Sequence, residues 1–181
     1  MNIGIDLDNT LFPLRTIEKV SIELGFSNSY TQKDATDWSL SNIPFFMKRR
    51  IKEYWRDPEY MKSLEPYPET YAVLKGWKDL GHNIFVITAR TKSVHFATIE
   101  SCNKHFPALF DGIQFVEPRD SKQPIIKDLA IDIWIDDEPM ECQRSVYNDI
   151  KTYMISNDDT RYNWYLRDWD LLSNVEHISD I

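Results

Sequence analysis

Ile3-Gly4-Ile5-Asp6-Leu7-Asp8-Asn9-Thr10-Leu11 begins as a short apolar run and ends in two carboxylates, one residue apart, followed by a hydroxyl. The run reads as a buried β-strand. Because strand side chains alternate, Asp6 and Asp8 leave its end on the same side and can approach one cation or one phosphate together. Two anions held that close repel each other, and a hard divalent cation such as magnesium is well suited to neutralise them. A strand closed by an Asp-rich turn without chemistry would use the same residues, so the rest of the chain has to decide.

After Thr10 the pattern turns helical. Leu14, Ile17, Val20, Ser21 and Leu24 recur at helical spacing, and Gly25 marks a stop. Residues 27–37 are polar and turn-rich. A second helical pattern opens at Ile43-Pro44-Phe45-Phe46-Met47 and continues over 48–56, mixing Lys48, Arg49, Arg50, Lys52 and Arg56 with Phe45, Phe46, Tyr54 and Trp55. Asp57-Pro58 interrupts it, a short helix reaches Lys62, and Glu65-Pro66-Tyr67-Pro68 forms a boundary, since each proline holds the residue before it extended.

From Pro68 onward helices and strands alternate. The spacing predicts a helix from 68 to 80 stopped by Gly81, a strand over 84–87 leading into Thr88-Ala89-Arg90, and a helix over 93–105. A strand over 113–116, a helix over 122–130 and a strand over 131–135 running into Asp136-Asp137 follow. A helix over 140–147, a strand over 152–155 and a terminal helix carrying Trp164, Tyr165, Leu166 and Trp169 complete the chain. This alternation predicts an α/β fold with a Rossmann-like, doubly wound parallel sheet. In such sheets the active groups gather beyond the carboxyl ends of the strands. That rule collects Asp6, Asp8 and Thr10, then Thr88 and Arg90, then Asp136 and Asp137.

Composition narrows the function. At 181 residues the chain suits one domain with an insertion. With 42% hydrophobic residues it can bury a sizeable core, yet its apolar runs are too short to span a bilayer, so no membrane role is expected. Met1 runs directly into the first strand without a basic and apolar leader, and Cys102 and Cys142 have neither disulfide-framework nor metal-ligand spacing. Both features predict a reducing, cytoplasmic setting. A formal charge of −8 argues against a surface that grips long nucleic acid, but one phosphate can still be held by a cation and a few basic side chains.

With a phosphate monoester as ligand, each collected residue has a task. Asp6 could attack phosphorus and Asp8 could serve as acid for the leaving oxygen and base for the hydrolytic water. A magnesium ion between Asp6, a backbone carbonyl and Asp136 would screen the carboxylate from the phosphate. Thr88 offers a hydroxyl and Ala89 a backbone N–H to the phosphoryl oxygens, and a lysine near a helix start would add a point charge, either Lys122 or Lys127.

Asp6-Leu7-Asp8-Asn9-Thr10, Thr88-Ala89-Arg90, Lys122 and Asp136-Asp137, in this order, resemble the four motifs of the haloacid dehalogenase superfamily of phosphotransferases. The resemblance spans nearly the whole chain. It implies that Asp6 is the nucleophile, Asp8 the acid and base, Thr88 and Lys122 phosphate-binding catalytic residues, and Asp6, Asp8, Asp136 and Asp137 the magnesium site. It further implies a core over 1–11 and 67–181 and a small helical cap over 12–66. Within the superfamily the chain is similar to the 5′(3′)-deoxyribonucleotidase-like branch, which implies a 5′-nucleotidase acting on deoxynucleoside or nucleoside monophosphates. Substrate contacts are then expected from Thr10, Ala89 and Arg90 in the core and from Phe45 and Arg49 in the cap. Phe45, Phe46, Tyr54 and Trp55 suit the cap's own core as well as a stacked base, and the basic run suits a solvated helix face.

Other readings fit less well. An EF-hand counted from Asp6 would need glycine at Leu11 and a bidentate carboxylate at Ile17. A receiver domain resembles this chain in sheet and residue types but carries its acidic pair first, whereas here Asp-x-Asp comes first and the pair last. A phosphatase for another small metabolite or a nucleic-acid 3′ end, and a silent phosphate-binding module, remain as alternatives.

Overall fold

The computed structural model describes residues 1–14, 17–26, 40, 43–155 and 176–178. The expected turn-rich stretch over 27–37 and the expected terminal helix with Trp164 and Trp169 lie outside the described residues.

Chain order is β1 (Asn2–Ile5), α1 (Ile17–Glu23), α2 (Phe45–Tyr54), α3 (Pro58–Ser63), α4 (Thr70–Asp79) and β2 (Asn83–Thr88). A 3-10 turn (Lys92–Val94) then leads into α5 (His95–His105), followed by β3 (Gly112–Phe115), α6 (Gln123–Asp128), β4 (Ile133–Asp136), α7 (Pro139–Tyr147), β5 (Lys151–Ile155) and β6 (Glu176–Ile178). The six strands form one sheet in the order β3-β2-β1-β4-β5-β6, with every pairing parallel. This is the doubly wound order, and its switch point falls between β1 and β4. The predicted α/β class is therefore the observed one, although β6 was not foreseen.

Local chemistry explains the boundaries. Pro44 occupies the N-cap position of α2, so the helix starts at Phe45, inside the expected opening stretch 43–47. Gly25 and Gly81 end their helices at φ 76° and 80°, where a side chain would be strained. The strand expected over 131–135 begins only at Ile133, because Ala130 turns the chain at φ 47° and the Asp132 carboxylate accepts the Asn2 N–H at 2.7 Å. Asp57 caps α3 by accepting the Tyr60 N–H at 2.9 Å.

Two-residue alternation splits the core into two clusters. Ile3, Ile5, Ile84, Val86 and Ile135 belong to the larger, with Leu74 of α4 and Cys102 of α5. Ile87 and Trp134 belong to the smaller, with Ile126 of α6. Parallel strands covered on both faces read as continuous apolar runs, as Ile84–Ile87 does. On the second face Gly4 is the register partner of Trp134. A Cβ at Gly4 would stand 2.8 Å from Cε3 of that indole, so only glycine lets the ring lie across β1.

Candidate active site

At the switch point the chain leaves β1 through a tight turn. Asn9 adopts φ 58°, a left-handed conformation that asparagine tolerates, and the Leu7 carbonyl accepts the N–H groups of Leu11 and Phe12 at 2.8 and 2.9 Å. The Asn9 side chain fastens the turn in two directions, accepting the Leu14 N–H at 3.1 Å and donating to Asp137 at 3.2 Å. The turn holds Asp6 and Asp8 over the carboxyl ends of β1 and β4.

Asp6, Asp136 and Asp137 are all buried, and one carboxylate oxygen from each lies within 4.8 Å of the others. Lys122 stands directly before α6 and reaches into this cluster, donating to Asp6 Oδ1 at 2.7 Å and to Asp136 Oδ2 at 2.8 Å. Its rival Lys127 sits in the last turn of α6 and makes neither bond. Burial and the neighbouring Asp136 and Asp8 push the Asp6 carboxyl up to about 7, although Lys122 pulls it down. Burial, then Asp136 and Asp6, hold Asp137 well above the usual carboxylate range. Burial works against the Lys122 ammonium, but Asp136 and Asp6 outweigh it and keep its pKa well above the ordinary lysine value. Three buried carboxylates facing one ammonium are an unbalanced set. Hard oxygen donors this close fit a divalent cation.

The sequence put Asp8 among the metal ligands, but its carboxylate is turned elsewhere. Arg90 Nη2 donates to Asp8 Oδ1 at 2.6 Å, and Nε reaches both carboxylate oxygens at 3.1 and 3.2 Å. Arg90 is itself fixed: Nη1 donates to Thr98 Oγ1 at 3.1 Å, and the guanidinium lies 5.7 Å from the centroid of the Phe12 ring. Arg90 was expected to touch substrate. Its side chain is only 2% exposed and clamps Asp8, while the residue also lines the pocket described next.

Thr88 ends β2 with its hydroxyl fully buried and without a protein partner, and the Thr10 hydroxyl is in the same condition. An orphaned buried hydroxyl calls for a ligand or water. Thr88 and Ala89 line a pocket of about 400 Å³ shared with Asp6, Asp8, Lys122 and Asp136. That size suits a small molecule. Thr10 is not among its lining residues.

Helices α2 and α3 also reach this pocket, through Lys52, Trp55, Arg56 and Met61. Phe45 and Arg49 do not. They lie with Phe26, Phe46 and Arg50 in a separate depression, where Arg49 pairs with Glu53 at 2.8 Å and Phe45 is 76% exposed. The reason is helix face: at about 3.6 residues per turn Phe45, Phe46, Arg49, Arg50 and Glu53 share one side of α2, whereas Lys52 and Trp55 lie on another. Three contributors had no assigned task in the sequence: Asn9, Glu141 and Thr98. Glu141 accepts the Ser121 hydroxyl at 3.2 Å and the Lys122 N–H at 3.3 Å, and pairs with Arg144, so it fixes the loop that carries Lys122. A buried glutamate one turn into a helix beside a catalytic-type acidic pair was the available signal.

Known proteins agree with this geometry. A family model described as 5′ nucleotidase, deoxy (pyrimidine), cytosolic type C protein matches residues 1–160. A Bacillus cereus protein provisionally named a nucleotidase is 24% identical, over 92% of this chain and 90% of its own length. Among solved structures, a haloacid dehalogenase-like hydrolase from Streptococcus pneumoniae superposes with a TM-score of 0.70 at 13% identity, covering 99% of this chain and 93% of that one. A haloacid dehalogenase family hydrolase from Deinococcus radiodurans, solved with bound phosphate and sodium, has a TM-score of 0.64 at 9% identity, covering 99% and 90%. The fold is the one shared by these haloacid dehalogenase-like hydrolases, and the chain belongs to the 5′ nucleotidase, deoxy (pyrimidine), cytosolic type C protein family and is a phosphoric monoester hydrolase.

Proposed function

We propose that the protein is a magnesium-dependent 5′-nucleotidase that hydrolyses deoxynucleoside or nucleoside monophosphates through an aspartyl-phosphate on Asp6. The observation that carries this reading is the buried Asp6 carboxylate, bonded to Lys122, facing the Asp136-Asp137 pair and opening on a pocket with the orphaned Thr88 hydroxyl. A magnesium ion held by Asp6, Asp136 and Asp137 would screen the negative charge that nucleophile and phosphate share.

Asp6 attacks phosphorus, so that its oxygen–phosphorus bond forms as the ester oxygen departs. Asp8 gives the departing oxygen a proton and then takes one from the water that cleaves the aspartyl-phosphate, releasing inorganic phosphate. Thr88, the Ala89 N–H and the Lys122 ammonium bind the phosphoryl oxygens. Arg90 serves this cycle by orienting Asp8. Residues 12–66 act as the cap, and Trp55 with Lys52 and Arg56 forms the side of the pocket that receives base and sugar. The nucleotide reading is supported by the family description and by the name of the Bacillus cereus relative. Among the described residues no helix is long and apolar enough to cross a membrane, and both cysteines are free and buried, which supports work in the cytoplasm.

The test is phosphate release from a panel of deoxy- and ribonucleoside monophosphates, sugar phosphates and an aryl phosphate, with magnesium and with chelator. Preference for nucleoside monophosphates that disappears in chelator is expected. Equal turnover of sugar phosphates would remove the nucleotide assignment, and full activity in chelator would remove the metal.

A further inference from the structure

Lys122 has three N–H bonds to place while its side chain is only 8% exposed. Two go to Asp6 and Asp136. Its Nζ also stands over the Trp134 ring, 5.3 Å from the centroid, so the negative face of the indole lies under the ammonium. Trp134 is fully buried in the middle of β4, and its own Nε1–H has no partner. With its N–H unpaired, the contact that Trp134 makes with Lys122 is through its ring face. Gly4 completes the arrangement, because any side chain there would meet Cε3 and Cζ3 of the indole at 2.8 and 3.0 Å.

We infer that Trp134 is a positioning residue: its ring, admitted by the bare backbone of Gly4, forms the floor that holds the Lys122 ammonium between Asp6 and Asp136 in line with the incoming phosphoryl group. The inference rests on the proposed phosphate-binding role of Lys122. Without the floor a flexible four-carbon side chain has other places to put its charge, such as Glu138 and Glu141, which line the same pocket. The inference assigns the effect of Trp134 on turnover to Lys122.

A double-mutant cycle on the full chain tests this, with each variant's melting curve recorded to show that it folds. Trp134→Phe keeps a ring face and is expected to stay within about threefold of wild type in kcat/KM. Trp134→Met keeps apolar bulk without a ring and is expected to lose about tenfold or more. Gly4→Ala keeps the ring but displaces it, so a several-fold loss is expected by an independent route. In a Lys122→Met background all three changes are expected to alter kcat/KM by less than about twofold, because the group they act through is gone. Equal activity of the Phe and Met variants would overturn the inference, as would the same fractional loss in both backgrounds. Should Trp134→Met not fold, Gly4→Ala carries the same comparison. If Lys122→Met alone leaves activity intact, the role of Lys122 itself has failed, which is a different result from a dispensable Trp134.

Discussion

Replacing Lys122 by methionine removes the cation that, among the described residues, lies within hydrogen-bond reach of both Asp6 and Asp136, and leaves three buried carboxylates in mutual repulsion. Both ion pairs are short, 2.7 and 2.8 Å, and the lysine side chain is 8% exposed, so solvent screens them little. Breaking a buried pair by deleting one partner costs about 3–5 kcal/mol. For a chain of this size each kcal/mol lowers Tm by about 2–4 °C, so the variant should melt about 6–20 °C below wild type in chelator at neutral pH.

The sign of its pH dependence follows from the carboxylates. Lys122 pulls the Asp6 and Asp136 pKa values down, so removing it raises folded-state values that already lie above the unfolded one. A carboxyl with a raised folded pKa stabilises the fold while protonated and loses that contribution as pH rises from the unfolded pKa through the folded one. The deficit of Lys122→Met should thus be smallest at low pH, where both proteins hold these carboxyls protonated, and should widen as pH rises through about 7 and beyond, where Asp6 ionises in wild type and stays protonated in the variant. Magnesium at about 100 times its Kd would return about 2.7 kcal/mol to either protein. Thermal melts of both proteins, in chelator and in magnesium across this pH range, supply the comparison. A variant that melts within about 2 °C of wild type in chelator at neutral pH would refute the account of this cluster.

Three further outcomes are expected. Arg90→Met should reduce kcat about 10- to 100-fold with KM little changed, because Asp8 loses its clamp, while Arg90→Lys should recover part of it; an unchanged kcat would show that Asp8 is oriented without Arg90. Phe45→Ala and Arg49→Ala should leave kcat/KM for a nucleoside monophosphate within about twofold, because they lie on the face of α2 away from the pocket, whereas Trp55→Ala should raise KM about tenfold; the reverse ranking would place the base on that outer face. In chelator, wild type should melt at a lower temperature near pH 8 than near pH 5, since Asp6 titrates up to about 7 and Asp136 and Asp137 are also raised, and magnesium should remove most of the difference; a flat profile would mean the cluster stays protonated or is balanced by other groups.

Much of the fold was legible because strand signals are strong where both faces are buried. Ile84-Phe85-Val86-Ile87 and Ile133-Trp134-Ile135 could hardly be anything else between helices of regular period, and the strand-end rule then collected Asp6, Thr88 and Asp136 into one place. Lys122 was harder, because its link to Asp6 spans 116 residues and depends on the loop that Glu141 holds. The direction of Asp8 was not legible at all. Period-two alternation ends with the strand at Ile5, and beyond it the Asn9 turn and Arg90 decide where a carboxylate points. The contacts of α2 were hard to read for a related reason: composition marked Phe45 through Arg56 as one aromatic and basic helix but carried no information on which of its faces turns to the pocket. β6 escaped because Glu176-His177-Ile178 is three residues long and has no apolar pattern of its own.

The central claim is that phosphate passes through Asp6, and an acid-quenched reaction of Asp8→Asn with an aryl phosphate tests it most directly. An aryl leaving group departs without a proton donor, so the first step survives, while the second lacks its base and the intermediate accumulates. Peptide mass mapping of the quenched protein should show one phosphoryl group on Asp6 within the N-terminal peptide. An unmodified Asp6 under continuing turnover, or a phosphoryl group on any other residue, would contradict the account.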